Sequence, residues 1–405
     1  MRQQTPTGQA IDRREFLLEG LLPLPLLPLC ATLAQAECRS DGDNIAVLVP
    51  GFLGSTLSKN GVAIWSNKAW ETYDTLLNNP ETLRYQKGNA FDDTQIMEAF
   101  EIWRVGPAGS SVKFYGPLYE FLKKRAFKKV LPFSYDWRQD MFVILDQLKQ
   151  RLQSELGIEY RDGKAVESGK HIYVVGHSMG AVLSLLMTGQ QLIHPNDICR
   201  LILIAPPTAG SADAFRSTFD ATQLPGIKRM IDVWWWTKNR TQAWENLHSV
   251  IRSFPASYQL MPPLFHDYIN TTTWTNPLAE NVFDPAQIAA ANKLHAAVAD
   301  AVKKLPLPEE RVDLILGTSL DTDGHYFVRA ATSSQHEKTY EFKPPKEVLV
   351  PDGDGRVLNS SSLYRVNDVD LLGNRVTVRP YIGVRHSELC KHPRVLELLA
   401  TLLPK

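Results

Sequence analysis

Cysteine is scarce in this 405-residue chain: four residues, at positions 30, 38, 199 and 390, none in a C-x-x-C pair. That spacing excludes a cysteine-built zinc site and a dithiol redox pair. No sign of charge dominates either, since Lys plus Arg and Asp plus Glu number 44 each and no long run of like charge occurs. Nucleic acid is therefore not an expected partner. No internal repeat or low-complexity tract is present, which excludes solenoids and polar arrays. Two acidic runs, Asp321-x-Asp323-Gly324 and Asp352-x-Asp354-Gly355, open like calcium-hand loops. Their twelfth positions are Thr332 and Leu363, not glutamate, so both fail. What remains is 44% apolar residues, enough to pack one large α/β domain with insertions, or two domains.

The first 36 positions read as a targeting segment. Asp12-Arg13-Arg14-Glu15-Phe16-Leu17-Leu18 resembles a twin-arginine export motif, and a moderately apolar stretch runs on to Leu33. Ala34-Gln35-Ala36 then supplies the small-x-small pattern of a cleavage site. Pro23, Pro25 and Pro28 punctuate the stretch and disfavour a spanning helix. Export to the periplasm or beyond, with cleavage after Ala36, is the expectation. An N-terminal membrane anchor is the alternative. After cleavage Cys38, Cys199 and Cys390 remain, an odd number, so at least one thiol is expected free.

The richest signal is Gly176-His177-Ser178-Met179-Gly180. It follows an apolar strand, His171–Val175, and precedes an apolar helix, Ala181–Met187. Strand, sharp turn and helix form the context of a nucleophile elbow. Such a turn lifts Ser178 Oγ beside a helix N-terminus, where developing negative charge is favoured. Continuous apolar runs at Ile45–Val49, Val130–Ser134, Leu201–Ile204 and Val312–Leu316 read as buried parallel strands. Glu347–Val350 and Arg375–Val378 read as further strands. Helices are expected at Gly116–Arg125, Met141–Leu156 and Pro393–Leu403. The alternation predicts a mostly parallel sheet flanked by helices, with an inserted helical cap, and the elbow motif fits the α/β-hydrolase version of that arrangement. The expected organisation is a core at 37–209 and 309–405, an irregular insertion at about 60–115, and a cap at 210–308.

A serine nucleophile needs a base and an acid to orient that base, in chain order Ser, Asp or Glu, His. Pro351-Asp352-Gly353-Asp354-Gly355-Arg356 is a tight turn after a late strand. Asp354 is the chosen acid and Asp352 the alternative. His386 follows the last strand and precedes the last helix, the place for the base. His392 belongs to the helix start, and His177 is expected to point away from Ser178 Oγ. Two backbone N–H groups complete the set, that of Met179 after the nucleophile and that of Phe52 in the loop after the first strand. No metal and no cofactor is called for.

Taken together, the chain resembles the lecithin:cholesterol acyltransferase and lysosomal phospholipase family. The shared pieces are Val49–Ser55, Tyr135-Asp136-Trp137-Arg138, Pro255–Pro262, the Ser178 elbow, Gly353–Val357, and His386 before the final helix. The resemblance implies a serine enzyme that takes an acyl group from a lipid ester and passes it to water or an alcohol. It implies Ser178, Asp354 and His386 as the triad, with Phe52 and Met179 as oxyanion donors. Asp136 and Arg138 are expected to pair or cap near the site. Two departures stand out: Arg356 occupies a position where the family usually has threonine, and two cysteines that pin a lid in animal members are absent.

Trp234, Trp235 and Trp236 fall in the expected cap. If helical, Trp234 joins an apolar stripe with Ile227, Met230 and Ile231, and the other two indoles fall off it. Contact with a membrane surface or an acyl chain is one reading and burial within the cap the other. The expected partners are a phospholipid-type substrate, a membrane surface and an alcohol or sterol acceptor. An esterase acting on a soluble or cell-wall ester, and a non-catalytic binding protein, are the competing readings.

Overall fold

A computed structural model describes residues 43–405, except positions 90, 92, 103–109, 220–245, 247–249, 264–283, 325–326, 333–337 and 344–348. The expected targeting segment and the Trp234–Trp236 cluster lie outside the described residues.

Six strands build the central sheet: β1 Asn44–Val49, β2 Lys129–Pro132, β3 His171–His177, β4 Ile198–Ile204, β5 Val312–Thr318 and β6 Thr377–Ile382. Their order is β6-β5-β4-β3-β1-β2, and every pairing is parallel. The four inner strands are buried almost end to end, because helices cover both faces and leave no side for polar residues.

Helix α1, Met141–Leu156, begins where Asp140 caps Phe142 N–H and ends at Gly157, whose φ of 65° is left-handed. Its buried residues Met141, Ile144, Leu145, Leu148, Leu152 and Leu156 recur every three or four positions. Helix α2, Met179–Gly189, is buried on nearly every residue, as expected of a helix enclosed by its neighbours. Helix α3, Pro285–Lys303, lies within the stretch expected to form a cap. It packs along α2: a Cβ placed on Gly189 would fall 2.7 Å from that of Ala301. Helix α4, Pro393–Leu402, closes the chain.

Two expectations need correction. Of the strand read at Glu347–Val350, Glu347 and Val348 lie outside the described residues, and Leu349 and Val350 do not join the central sheet: they pair antiparallel to Thr322 and Asp323, and both are exposed. A short apolar run pairs wherever an edge is offered, and this one sits on a surface excursion after β5. Arg375–Val378 is displaced: a 3₁₀ turn takes Gly373–Arg375, and β6 starts at Thr377. The insertion read as irregular is also more ordered than expected. Its strands Val62–Trp65 and Asp93–Ile96 complete a three-stranded antiparallel sheet with Ser55–Lys59 just ahead of it, and a helix spans Ala69–Asn78.

Two cysteines fall among the described residues, and their states differ. Cys199 is disulfide-bonded, and Cys390 is a free, buried thiol whose pKa burial pushes well above its ordinary range.

Candidate active site

The C-terminal ends of β1, β3 and β5 and the segment after β6 converge on one rim, the usual place for a ligand in an open parallel sheet. Ser178 follows β3 with φ 55° and ψ −126°, a region that non-glycine residues occupy only under constraint. The constraint is close packing. A Cβ on Gly176 would sit 2.7 Å from Ala181 Cα, and one on Gly180 would strike the carbonyl oxygens of Val49 and Pro50. Ser178 N–H donates to Ile204 O at 2.8 Å, tying the turn to β4.

His386 lies between β6 and α4, and its Nδ1 bonds Asp354 Oδ2 at 2.7 Å. Its backbone N–H also donates to Asp354 O at 3.0 Å. The other carboxylate oxygen of Asp354 accepts from Arg356 N–H at 3.0 Å and Val357 N–H at 2.8 Å. Asp354 is thus a buried carboxylate with both oxygens engaged and one aimed at the imidazole. As a carboxylate it offers only acceptors, so the imidazole proton resides on Nδ1 and leaves the Nε2 lone pair open. Asp352 faces elsewhere: its carboxylate accepts from Asn359 Nδ2 at 2.7 Å. His392 stands at the N-cap of α4.

Ser178, His386 and Phe52 line one pocket. Met179 is the first residue of α2, so its N–H has no carbonyl four residues back to bond within the helix. The loop that carries Phe52 is braced by the Tyr135–Arg138 segment. Tyr135 Oη donates to Pro50 O, Trp137 Nε1 donates to Ser55 O at 2.9 Å, and the Phe52 and Trp137 rings meet edge-on at 5.0 Å. Arg138 and Asp136 form a fully buried pair, with guanidinium bonds at 2.6 and 2.8 Å. The remaining guanidinium N–H groups donate to the carbonyls of Leu83, Arg84 and Asn89.

Several residues in and around the pocket carried no sequence signal for a place there. Arg356 Nη1 reaches Asp213 Oδ2 at 2.8 Å, and both side chains line the pocket. Ser217 and Ser257 line it too, with buried hydroxyls that find no hydrogen-bond partner among the described residues. Tyr115 is the largest omission. It is buried and bonds both Gly51 N–H and His177 Nδ1 at 2.7 Å. His177 does turn away from the serine side chain, into this buried contact. Burial, and secondarily the neighbouring His386, hold its pKa well below 6.5.

The alpha/beta hydrolase family model matches residues 108–356, more than half of the chain, including Ser178 and Asp354. The chain belongs to the alpha/beta hydrolase family. The solved structure of the Tle4–Tli4 complex aligns with this hydrolase at a TM-score of 0.51 and 12% identity, over 90% of this chain and 98% of that one. EstA from Clostridium botulinum aligns at 0.37 and 12% identity, over 89% and 87% of the two chains. Staphylococcus hyicus lipase aligns at 0.33 and 11%, over 90% and 95%. At such identities shape bears on the fold alone, and only the first alignment is close enough to do so. No curated protein matches this hydrolase in sequence.

Proposed function

We propose that this hydrolase is an exported serine acyl enzyme that cleaves a lipid ester, with phospholipid as the substrate class. The observation that carries the catalytic part is the buried Asp354–His386 bond facing the pocket that the strained Ser178 lines. In the proposed cycle His386 Nε2 takes the proton of Ser178 Oγ as that oxygen bonds the ester carbonyl carbon. The N–H groups of Phe52 and Met179 receive the oxyanion. Collapse breaks the bond to the leaving alcohol, which regains its proton from Nε2. Water or an acceptor alcohol then gives its proton to Nε2 as its oxygen attacks the acyl carbon, and Ser178 leaves with that proton.

The lipid part rests on the resemblance to the lecithin:cholesterol acyltransferase and lysosomal phospholipase family, above all on Tyr135-Asp136-Trp137-Arg138. The bracing of the Phe52 loop by those residues supports giving them the structural role near the site that the resemblance implies. Export rests on the twin-arginine-like segment. Among the described residues no helix is long and apolar enough to cross a membrane. In this reading Trp234, Trp235 and Trp236 meet the lipid surface.

Product analysis tests the reading. The protein is incubated with phospholipid vesicles, with and without a sterol or other long-chain alcohol, with Ser178→Ala as control. Alcohol esters formed only by the wild type make it an acyltransferase. Free fatty acid and lysophospholipid alone make it a phospholipase. Neither product, with turnover of a short soluble ester, moves the substrate to soluble esters. A Ser178 that a fluorophosphonate does not label returns the chain to a binding role. Replacing Trp235 and Trp236 with serine is expected to weaken vesicle binding more than short-ester hydrolysis, and equal loss of both supports burial within the cap.

A further inference from the structure

His177 occupies the variable position of the elbow and takes no part in the proposed proton transfers. Its surroundings nevertheless fix every proton around it. Gly51 N–H donates to Tyr115 Oη at 2.7 Å. The phenol has one proton of its own, and its other partner is His177 Nδ1 at 2.7 Å. That nitrogen must therefore accept. The single proton of a neutral imidazole then sits on Nε2, which lies 3.2 Å from the carbonyl oxygen of His386, a pure acceptor. The chain runs from Gly51 N–H to Tyr115, to His177, to the backbone of His386. Each donor meets one acceptor, and all of it is buried. One end holds the residue before Phe52, in the proposed oxyanion loop. The other end holds the proposed base, whose side chain Asp354 already orients.

We infer that Tyr115 and His177 are positioning residues, a hydrogen-bonded relay that keeps the oxyanion loop in register with His386. The inference rests on the serine-hydrolase reading for its catalytic consequence, but not for its proton assignment. Close packing gives the relay its leverage. A Cβ on Gly51 would fall 2.8 Å from Ser178 Cβ and 3.2 Å from Tyr115 Oη, so loop, nucleophile and phenol share one tight contact. The rings of His177 and His386 lie 4.8 Å apart between centroids. Charging His177 would bring one proton too many toward Tyr115 and a second cation toward His386, with Arg356 also nearby. The relay therefore works only with His177 neutral.

Three variants and one spectrum test this. Tyr115→Phe and His177→Phe keep the ring volume but break the relay. His177→Gln restores one acceptor and one donor at similar separation. With p-nitrophenyl butyrate, the two phenylalanine variants are expected to lower kcat about 10- to 100-fold, as misplaced oxyanion donors do, while KM changes little. His177→Gln is expected to recover most of that loss. In wild type labelled with ¹⁵N-histidine, NMR is expected to find His177 neutral, with its proton on Nε2, at pH below the ordinary value of 6.5. A proton on Nδ1, a His177→Phe variant with unchanged kcat, or a glutamine variant no better than phenylalanine overturns the relay. Fluorophosphonate labelling of wild-type Ser178 separates the two failures. If the serine is not labelled, the hydrolase reading falls, and the tautomer still judges the relay.

Discussion

Two loops on the same rim are held in opposite ways. The loop Pro50–Ser55 carries Phe52 and has almost no ties of its own beyond Gly54 N–H to Gly51 O at 2.9 Å. It is fixed by side chains 64 to 85 residues away in sequence: Tyr115 on Gly51, Tyr135 on Pro50 and Trp137 on Ser55. The loop Asp352–Asn359 carries Asp354 and adds ties within itself to its bonds with Thr318, Thr322, Ser211 and Asp213. Asp354 accepts from residues two and three ahead, and Asp352 accepts from Asn359, seven ahead. A carboxylate needs only to be aimed, and a turn does that locally. A backbone N–H that must meet a transient oxyanion needs a fixed main chain, and here the aromatic core supplies it. Remote mutations should therefore disturb the first loop more than the second, where the turn itself holds one oxygen of Asp354.

The largest effect belongs to neither loop. Ser178→Ala is expected to remove turnover by about 10⁴-fold or more with the circular dichroism spectrum unchanged, which sets the floor for the other tests. Asp354→Asn probes the local loop at its centre. It replaces an acceptor facing His386 Nδ1 with an ambiguous amide, and a loss in kcat of about 10⁴-fold is expected. Arg138→Met probes the remote brace. It leaves Asp136 buried without its partner, so a loss of about 3–5 kcal/mol is expected in denaturant unfolding. Short-ester kcat should fall further than the unfolded fraction explains. A fall that matches the unfolded fraction would mean that the segment stabilises the fold without shaping the loop. The smallest effect is Asp352→Asn, expected within about 0.5 kcal/mol in stability, with kcat nearly unchanged. A loss there as large as that of Asp354→Asn would move the acid.

The same contrast explains what could be read from the sequence. The elbow, the bounds of α1 and the inner strands were legible because each is a local pattern: glycine spacing, an Asp cap, an unbroken apolar run. Asp354 could be singled out because its turn chemistry is contained in a few residues, and in the structure it bonds His386. Tyr115 could not, since a buried phenol bonded across 62 and 64 residues leaves no periodicity. Glu347–Val350 misled for the converse reason. Its apolar run is local, but whether such a run joins the central sheet depends on where the chain has travelled, and here Leu349 and Val350 pair with Thr322 and Asp323 on an excursion. The order in the 60–115 insertion was missed because its strands alternate weakly and pair across distance, Ile96 with Ser55 ahead of the insertion among them.

Cys390 allows the motion of this architecture to be timed. It is a free thiol among the described residues, buried just ahead of α4. Neither a reagent nor a thiolate can form there while the final helix is docked. Uptake of a small thiol-specific label under native conditions therefore counts openings of the C-terminal layer. His386 lies only four residues away on the same segment. Comparing the labelling rate with and without an inhibitor on Ser178 would report how often the base departs from the nucleophile, a clock already built into the natural chain.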